Sequence, residues 1–282
     1  MLHTIKHGKL EYLIGKVQVG QTVTITADAL EGSIHCFSTR YGGVSGGYLS
    51  SLNLGTHRGD KPENVYENYR ILGSAVGFRP EDTVFTKQLH TDIVRRVGRA
   101  DRGAGLLREQ TEVCDAQITD ELGVALVAFA ADCTPILLFD PVRRAIAAVH
   151  AGWRGTALGI AAKAVEAMTR EFGCEPENIG AAIGPCIGAC CFETDGDVPE
   201  AMRAALGRDV ESCITRRGEK FFVDNKSLNR IWLERCGVTR IDVSCDCTKC
   251  QPERFWSHRV TQGRRGSLAA VIMLPESGGA EA

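Results

Sequence analysis

The chain has 282 residues, 44% of them hydrophobic, enough for one large domain or two closely packed halves around a sizeable core, which sets aside the disordered and fibrous classes. Basic and acidic residues nearly balance, 33 against 35, for a formal net charge of -2, so no nucleic-acid-coating surface is expected and any anion site must be local. Residues 1–10 lack the apolar stretch of a signal peptide, and no run approaches the roughly 20 apolar residues of a membrane span, which predicts a cytoplasmic protein with no membrane association. The 12 cysteines are too dispersed for a small secreted scaffold and are expected to be mainly reduced.

Residues 9–29 alternate apolar and polar side chains (Val17, Val19, Val23, Ile25), the period of a strand or hairpin. Residues 1–33 are thus expected to belong to the same domain as 34–275, with 276–282 a frayed polar tail. Residues 34–39 read as a strand running into Tyr41-Gly42-Gly43-Val44-Ser45-Gly46-Gly47, a turn whose glycines suit close approach of a ligand. Asp60 before Lys61-Pro62, the helical spacing of Val65, Tyr69, Leu72 and Val76, and Gly77 as a stop predict a helix. Strands are expected at 84–88 and 93–97, with His90 at a strand end or tight turn between them and a loop at 98–112.

Three continuous apolar runs follow, 124–130, 135–139 and 145–149, and predict buried central strands. Cys133 falls at the first junction and His150 at the end of the third strand. The segment Ala151-Gly152-Trp153-Arg154-Gly155-Thr156 then opens a helix capped by Thr156, with Leu158, Ala161, Ala162, Val165 and Met168 on its apolar face. Short strands at 179–183, 220–223, 241–244 and 268–274 alternate with helices at 199–206 and 227–236. With no internal repeat and no linker, the pattern predicts a single compact α/β domain of mixed β-sheets with flanking helices.

One hairpin separates Cys133 from His150, so the chain path can bring the two side chains together. A thiolate beside an imidazole is either an activated nucleophile or part of a metal site; adding His90 gives zinc three ligands and an open fourth position, where the pKa of a water falls to about 7. Spacing alone also fits a small buried cysteine near two unrelated histidines. Arg154, between Gly152 and Gly155 at a helix start, fits an anion pocket for phosphate or carboxylate, as does Arg40 before the glycine-rich turn; both also fit plain surface charges. Cys245, Cys247 and Cys250 are dense enough for a metal but need Cys236, His258 or another chain to complete it. Cys186, Cys190 and Cys191 carry no catalytic role on this reading.

Eight words occur in order: Phe37-Ser38-Thr39-Arg40-Tyr41-Gly42-Gly43-Val44-Ser45, Ser51-Leu52-Asn53-Leu54-Gly55, Gly59-Asp60, Gln88-Leu89-His90, Asp115-Ala116-Gln117-Ile118-Thr119, Ala131-Asp132-Cys133-Thr134-Pro135, His150-Ala151-Gly152-Trp153-Arg154-Gly155 and Ile183-Gly184-Pro185-Cys186-Ile187-Gly188. Together they resemble the YfiH-like, laccase-domain family over residues 34–274. The resemblance implies an α/β fold of mixed sheets and a metal-binding triad at His90, Cys133 and His150, holding zinc, with copper the alternative. It also implies phosphorolysis of purine nucleosides (adenosine, inosine, methylthioadenosine) and deamination of adenosine. At the family's terminal arginine word, Ser257-His258-Arg259 is followed by Val260, and Arg264-Arg265-Gly266 stands in shifted register. Arg259 therefore carries over as a substrate-binding residue, and Arg264 and Arg265 do not; nor does Arg70, since the family's Asn-Arg pair reads Asn68-Tyr69-Arg70 here.

The expected arrangement places zinc beside the glycine-rich loop, Arg40 and Arg154 on phosphate, Asn53 positioning substrate and Asp132 behind a ligating histidine. The partners are small purine nucleosides and phosphate, with the chain a monomer or weak homodimer. The alternatives are a metal-independent Cys133-His150 hydrolase acting on a cell-wall precursor (peptidoglycan editing), a copper-dependent polyphenol oxidase, and a non-enzymatic thiol or metal-binding protein. The oxidase needs more histidines than remain, since His3, His7 and His35 of the 7 lie near the N-terminus.

Overall fold

The computed structural model describes residues 2–8, 10–14 and 29–276; the alternating Val17, Val19, Val23 and Ile25 and the tail 277–282 lie outside the described residues. In chain order the strands are β1 (His3–His7), β2 (Leu10–Ile14), β3 (Ile34–Ser38), β4 (Thr83–Val84), β5 (Val94–Arg96), β6 (Ala116–Thr119), β7 (Ala125–Ala130), β8 (Thr134–Asp140), β9 (Ala145–Ala151), β10 (Gly180–Ile183), β11 (Glu193–Thr194), β12 (Ile214–Arg217), β13 (Lys220–Val223), β14 (Arg240–Val243) and β15 (Leu268–Met273). The helices are α1 (Pro62–Val76), α2 (Trp153–Ala157), α3 (Ile160–Phe172), α4 (Asp197–Leu206), α5 (Asn225–Arg235) and α6 (His258–Thr261). The expected class of mixed sheets with flanking helices is what is found.

Two six-stranded sheets, ordered β1-β2-β3-β15-β7-β4 and β14-β10-β8-β9-β6-β5, stack face to face. Each is antiparallel through its middle, with a parallel pair at one edge or both. The apolar runs do not alternate with polar residues because both faces of these strands are covered. On β8, Leu137 and Phe139 point into the layer between the sheets while Ile136 and Leu138 pack under α3; on β7, Leu126 and Ala128 point inward while Val127 meets α1. The result is four layers, α1, sheet, sheet and α3 with α5. Truncating Leu137, fully buried between the sheets, to Ala would cost about 2–5 kcal/mol.

The helix at 62–76 forms as expected and ends on Gly77 at φ 110°. Its N-cap is Lys61 instead of Asp60, whose carboxylate reaches forward to accept the Lys61 N–H and the Asn64 side chain, each at 2.9 Å. The single helix expected after Thr156 is two, because Gly159 takes φ 75° and breaks it. Thr156 caps neither; it is buried inside α2, where its hydroxyl accepts Nδ2–H of Asn229 at 2.9 Å. The strand expected at 84–88 shrinks to β4, since the chain from residue 85 turns out to form a cavity wall.

Candidate active site

The junctions that hold the site follow from the strand order. After β7 the chain leaves the first sheet, turns at Asp132 with φ 83°, and enters the second sheet at β8, so Cys133 sits where the two sheets meet. β9 runs antiparallel to β8, pairing Pro135 with His150 and Thr134 with Ala151, and this register brings His150 beside Cys133. His90 arrives from the loop between β4 and β5, itself at φ 62°. Its Nε2 lies 3.6 Å from Cys133 Sγ, its ring meets that of His150 edge-on at 4.9 Å, and the three ligand atoms lie within 4.8 Å of one another. Gly152 is required here: a Cβ on it would stand 2.2 Å from His90 Cδ2 and 3.4 Å from Cys133 Sγ.

Asp115, immediately before β6, organises both histidines. Its carboxylate accepts His150 Nδ1–H at 2.7 Å, leaving Nε2 of that ring for the cluster. It also accepts backbone N–H bonds from Leu89, His90 and Thr91 and the Thr91 hydroxyl, fixing the loop that carries His90. A carboxylate behind a ligating imidazole sets its tautomer and raises its basicity. Asp132, expected in this role, instead accepts Thr248 Oγ1–H and Arg259 N–H, both at 2.6 Å, and ties two loops to the site. The positive φ before Cys133 turns the Asp132 carboxylate toward those loops and away from the imidazoles. Asp115 was visible in the sequence only as the first residue of one motif word.

Burial works against charge on Asp115, yet the bonds from His150 and Thr91 hold its carboxyl at about 2. Burial likewise opposes ionisation of Cys133 and His150, but each stabilises the other: the imidazoles of His150 and His90 bring the thiol down to about 6, and Cys133 with Asp115 raises His150 to about 9. A thiolate and two oriented imidazoles are a donor set suited to zinc with one position open.

The cluster lies in the wall of a cavity of about 750 Å³, within the range of small-molecule sites. Phe85, Phe129, Trp153, Ile187 and Phe192 supply apolar walls, and Lys87, Arg58, Arg108, Arg259 and Arg265 supply positive charge. Arg58 Nε donates to Ser267 Oγ at 3.0 Å and Arg265 Nη1 to the Gly266 carbonyl at 2.9 Å, and among the described residues neither forms an ion pair with a carboxylate. Burial, then the nearby Arg58 charge, lowers the Arg265 guanidinium to about 10, and its buried Nε has no hydrogen-bond partner among the described residues. Burial followed by Arg265 also lowers His258 at the same wall. An anion placed there would relieve this repulsion.

Of the residues singled out from sequence, His90, Cys133, His150 and Arg259 line this cavity. Arg40 does not: its guanidinium lies 3.7 Å over the Trp256 ring and donates to the carbonyls of Pro252 and Ser50. Arg154 is exposed and stacks on Trp153. Asn53 is fully buried behind the wall, where it holds Gly55, Ser267 and Asp60. The glycine-rich turn is occupied by the protein itself, with Gly42 and Gly43 N–H on Ser51 Oγ and Val44 N–H on Asn68 Oδ1. Arg265, set aside for its register, lines the cavity, and so does Arg58, which carried no motif signal.

Fold and site together define an α/β protein in which a cluster of two histidines and a cysteine, with donor atoms close enough to hold a metal ion, opens on a cationic cavity. Residues 34–275 match the family model described as multi-copper polyphenol oxidoreductase laccase, and the chain belongs to that family, as its motifs had suggested. It is 35% identical to purine nucleoside phosphorylase YlmD of Bacillus subtilis over 86% of this chain and 88% of that protein. It is also 35% identical to purine nucleoside phosphorylase YfiH of Escherichia coli, over 86% and 95% of the two chains. The crystal structure of YlmD from Geobacillus stearothermophilus superposes with a TM-score of 0.86 at 33% identity, covering 93% of this chain and all of that one.

Proposed function

We propose that this chain is a purine nucleoside phosphorylase that splits adenosine, inosine or methylthioadenosine with inorganic phosphate. The observation that carries the proposal is the Arg58–Arg265 pair, without carboxylate partners among the described residues, sharing one cavity with the His90, Cys133 and His150 cluster. The phosphorylase names of the relatives agree with it. Arg58 and Arg265, joined by Arg259, hold and desolvate the phosphate. The aromatic walls receive the base, leaving C1′ of the sugar facing the anion. A phosphate oxygen forms the bond to C1′ as the bond from C1′ to the base nitrogen breaks. The electron pair leaves with the base, which takes up a proton, and the sugar leaves as its 1-phosphate, ribose 1-phosphate from adenosine or inosine and the 5-methylthio derivative from methylthioadenosine.

His90, Cys133 and His150 fit zinc better than they fit a multicopper centre, because Asp115 fixes the outer nitrogen of His150 and, among the described residues, three ligands converge. Zinc bound there would supply Lewis-acid polarisation and lower the pKa of a water, the chemistry needed for a second activity, deamination of adenosine at C6. The chain's own part is to keep the thiolate and imidazoles oriented through Asp115 and to exclude bulk water with Trp153 and Phe192.

Chromatography of adenosine incubated with purified protein, with and without phosphate, tests the proposal. Adenine and ribose 1-phosphate formed only with phosphate are expected; adenine formed equally without phosphate would make the enzyme a hydrolase and overturn it.

A further inference from the structure

A second cluster of cysteines lies outside the cavity. Cys190 and Cys191, in the turn after β10, meet Cys247 and Cys250, in the loop after β14, with all four sulfur atoms within 4.8 Å of one another. We propose that these four cysteines bind one zinc ion as a closed structural site, separate from the His90, Cys133 and His150 cluster.

The spacing fits the coordination. Four sulfurs about 2.3 Å from a tetrahedral zinc lie about 3.8 Å apart. Cys191 and Cys250 Sγ are 3.4 Å apart, and Cys190 and Cys250 Sγ 3.6 Å. A disulfide needs about 2.05 Å between two sulfurs and satisfies only a pair, whereas here Cys250 stands between two partners and all four thiols are free. Iron–sulfur clusters hold their cysteines around several metal atoms, so sulfurs this close call for a single ion.

The backbone is arranged for thiolates. Gly188 N–H donates to Cys247 Sγ at 3.2 Å, and the turn that bears the first pair is closed by Cys191 N–H on the Gly188 carbonyl at 2.9 Å. Cys247-Thr248-Lys249-Cys250 is a two-residue-spaced knuckle whose first residue bridges to Cys186 in parallel, with Thr248 N–H on the Cys186 carbonyl at 3.0 Å. The upstream pair therefore supplies the ligands for which the sequence pointed to Cys236, His258 or another chain. His258 lies in the cavity wall and Cys236 ends α5, while Cys245 is exposed and outside the cluster.

The ion would tie together two loops that frame the cavity. Ile187 and Phe192, on either side of Cys190 and Cys191, line it; the Glu193 backbone carbonyl accepts Arg259 Nη1–H at 3.0 Å; Thr248 holds Asp132, the residue before Cys133. Binding displaces the thiol protons to solvent and changes no oxidation state.

Elemental analysis of the full chain produced with zinc tests the proposal. Two zinc equivalents are expected for the unaltered protein, one for Cys133→Ala, and one for the double variant Cys247→Ser/Cys250→Ser. X-ray absorption at the zinc edge of Cys133→Ala is expected to show sulfur alone at about 2.3 Å, a readout that stands even if the double variant fails to fold. A Cys133→Ala protein without zinc, a coordination shell containing nitrogen, or a disulfide among the four cysteines in mass spectrometry would overturn the proposal. None of these outcomes depends on which nucleoside, if any, the cavity turns over.

Discussion

The two cysteine-bearing clusters make opposite use of the same side chain. At the cavity a single cysteine stands beside two imidazoles, one anchored by Asp115, and in the proposed zinc site these three ligands would leave a coordination position facing the cavity. On the far side of the Ile187–Phe192 wall four sulfurs converge and leave none. Ligand number separates a centre that does chemistry from one that staples loops. The settings agree: His150 is 4% exposed between two packed sheets, while Cys190 and Cys250 are surface residues of loops with little core of their own.

The largest effect should come from the open cluster. Cys133→Ala is expected to lower turnover about 10³-fold, the worth of several kcal/mol of transition-state stabilisation, with the circular dichroism spectrum unchanged. Retained activity would reduce the cluster to packing. Gly152→Ala should act through geometry, since the new methyl displaces His90, and is expected to lose the cavity metal while keeping the four-cysteine one. Losing both on elemental analysis would mean the clusters are not independent.

Asp115→Asn should cost about 10- to 100-fold in metal affinity at the cavity, measured by competition with a chelator, because the amide cannot anchor His150 as a carboxylate does. Arg265→Ala should raise the KM for phosphate by about 10-fold or more, the loss of one charge-assisted hydrogen bond of roughly 1.5–3 kcal/mol, with less change in the nucleoside KM. An equal rise in both would move the phosphate elsewhere in the cavity.

The mildest test uses pH on metal-stripped protein. The neighbouring imidazoles hold the Cys133 thiol near 6, whereas burial pushes those of Cys174 and Cys186 up to about 12. Since the thiolate is the reactive form, alkylation at pH 7 mapped by mass spectrometry should mark Cys133 well before those two, and its rate should decline as pH falls through about 6. Added zinc should protect it.

By itself the sequence determined the strands of the core, because continuous apolar runs such as 124–130 and 145–149 have no soluble solution except burial on both faces. It also determined helix α1, written locally in Pro62, the spacing of Val65, Tyr69 and Leu72, and Gly77, and it placed Cys133 near His150, which one hairpin separates. His90 was reachable through its motif word. What lies far apart in the chain but close in space was left to the tertiary structure: Asp115 behind His150, Arg58 beside Arg265, and Cys190 with Cys191 against Cys247 with Cys250. Arg40, Arg154 and the glycine-rich turn show the same limit from the other side. Local chemistry made them fit for an anion, but Trp256, Trp153 and the Ser51 and Asn68 side chains occupy them, and those partners are chosen by packing. A side chain's type sets which bonds it can make, and only the folded chain decides which partner reaches it first.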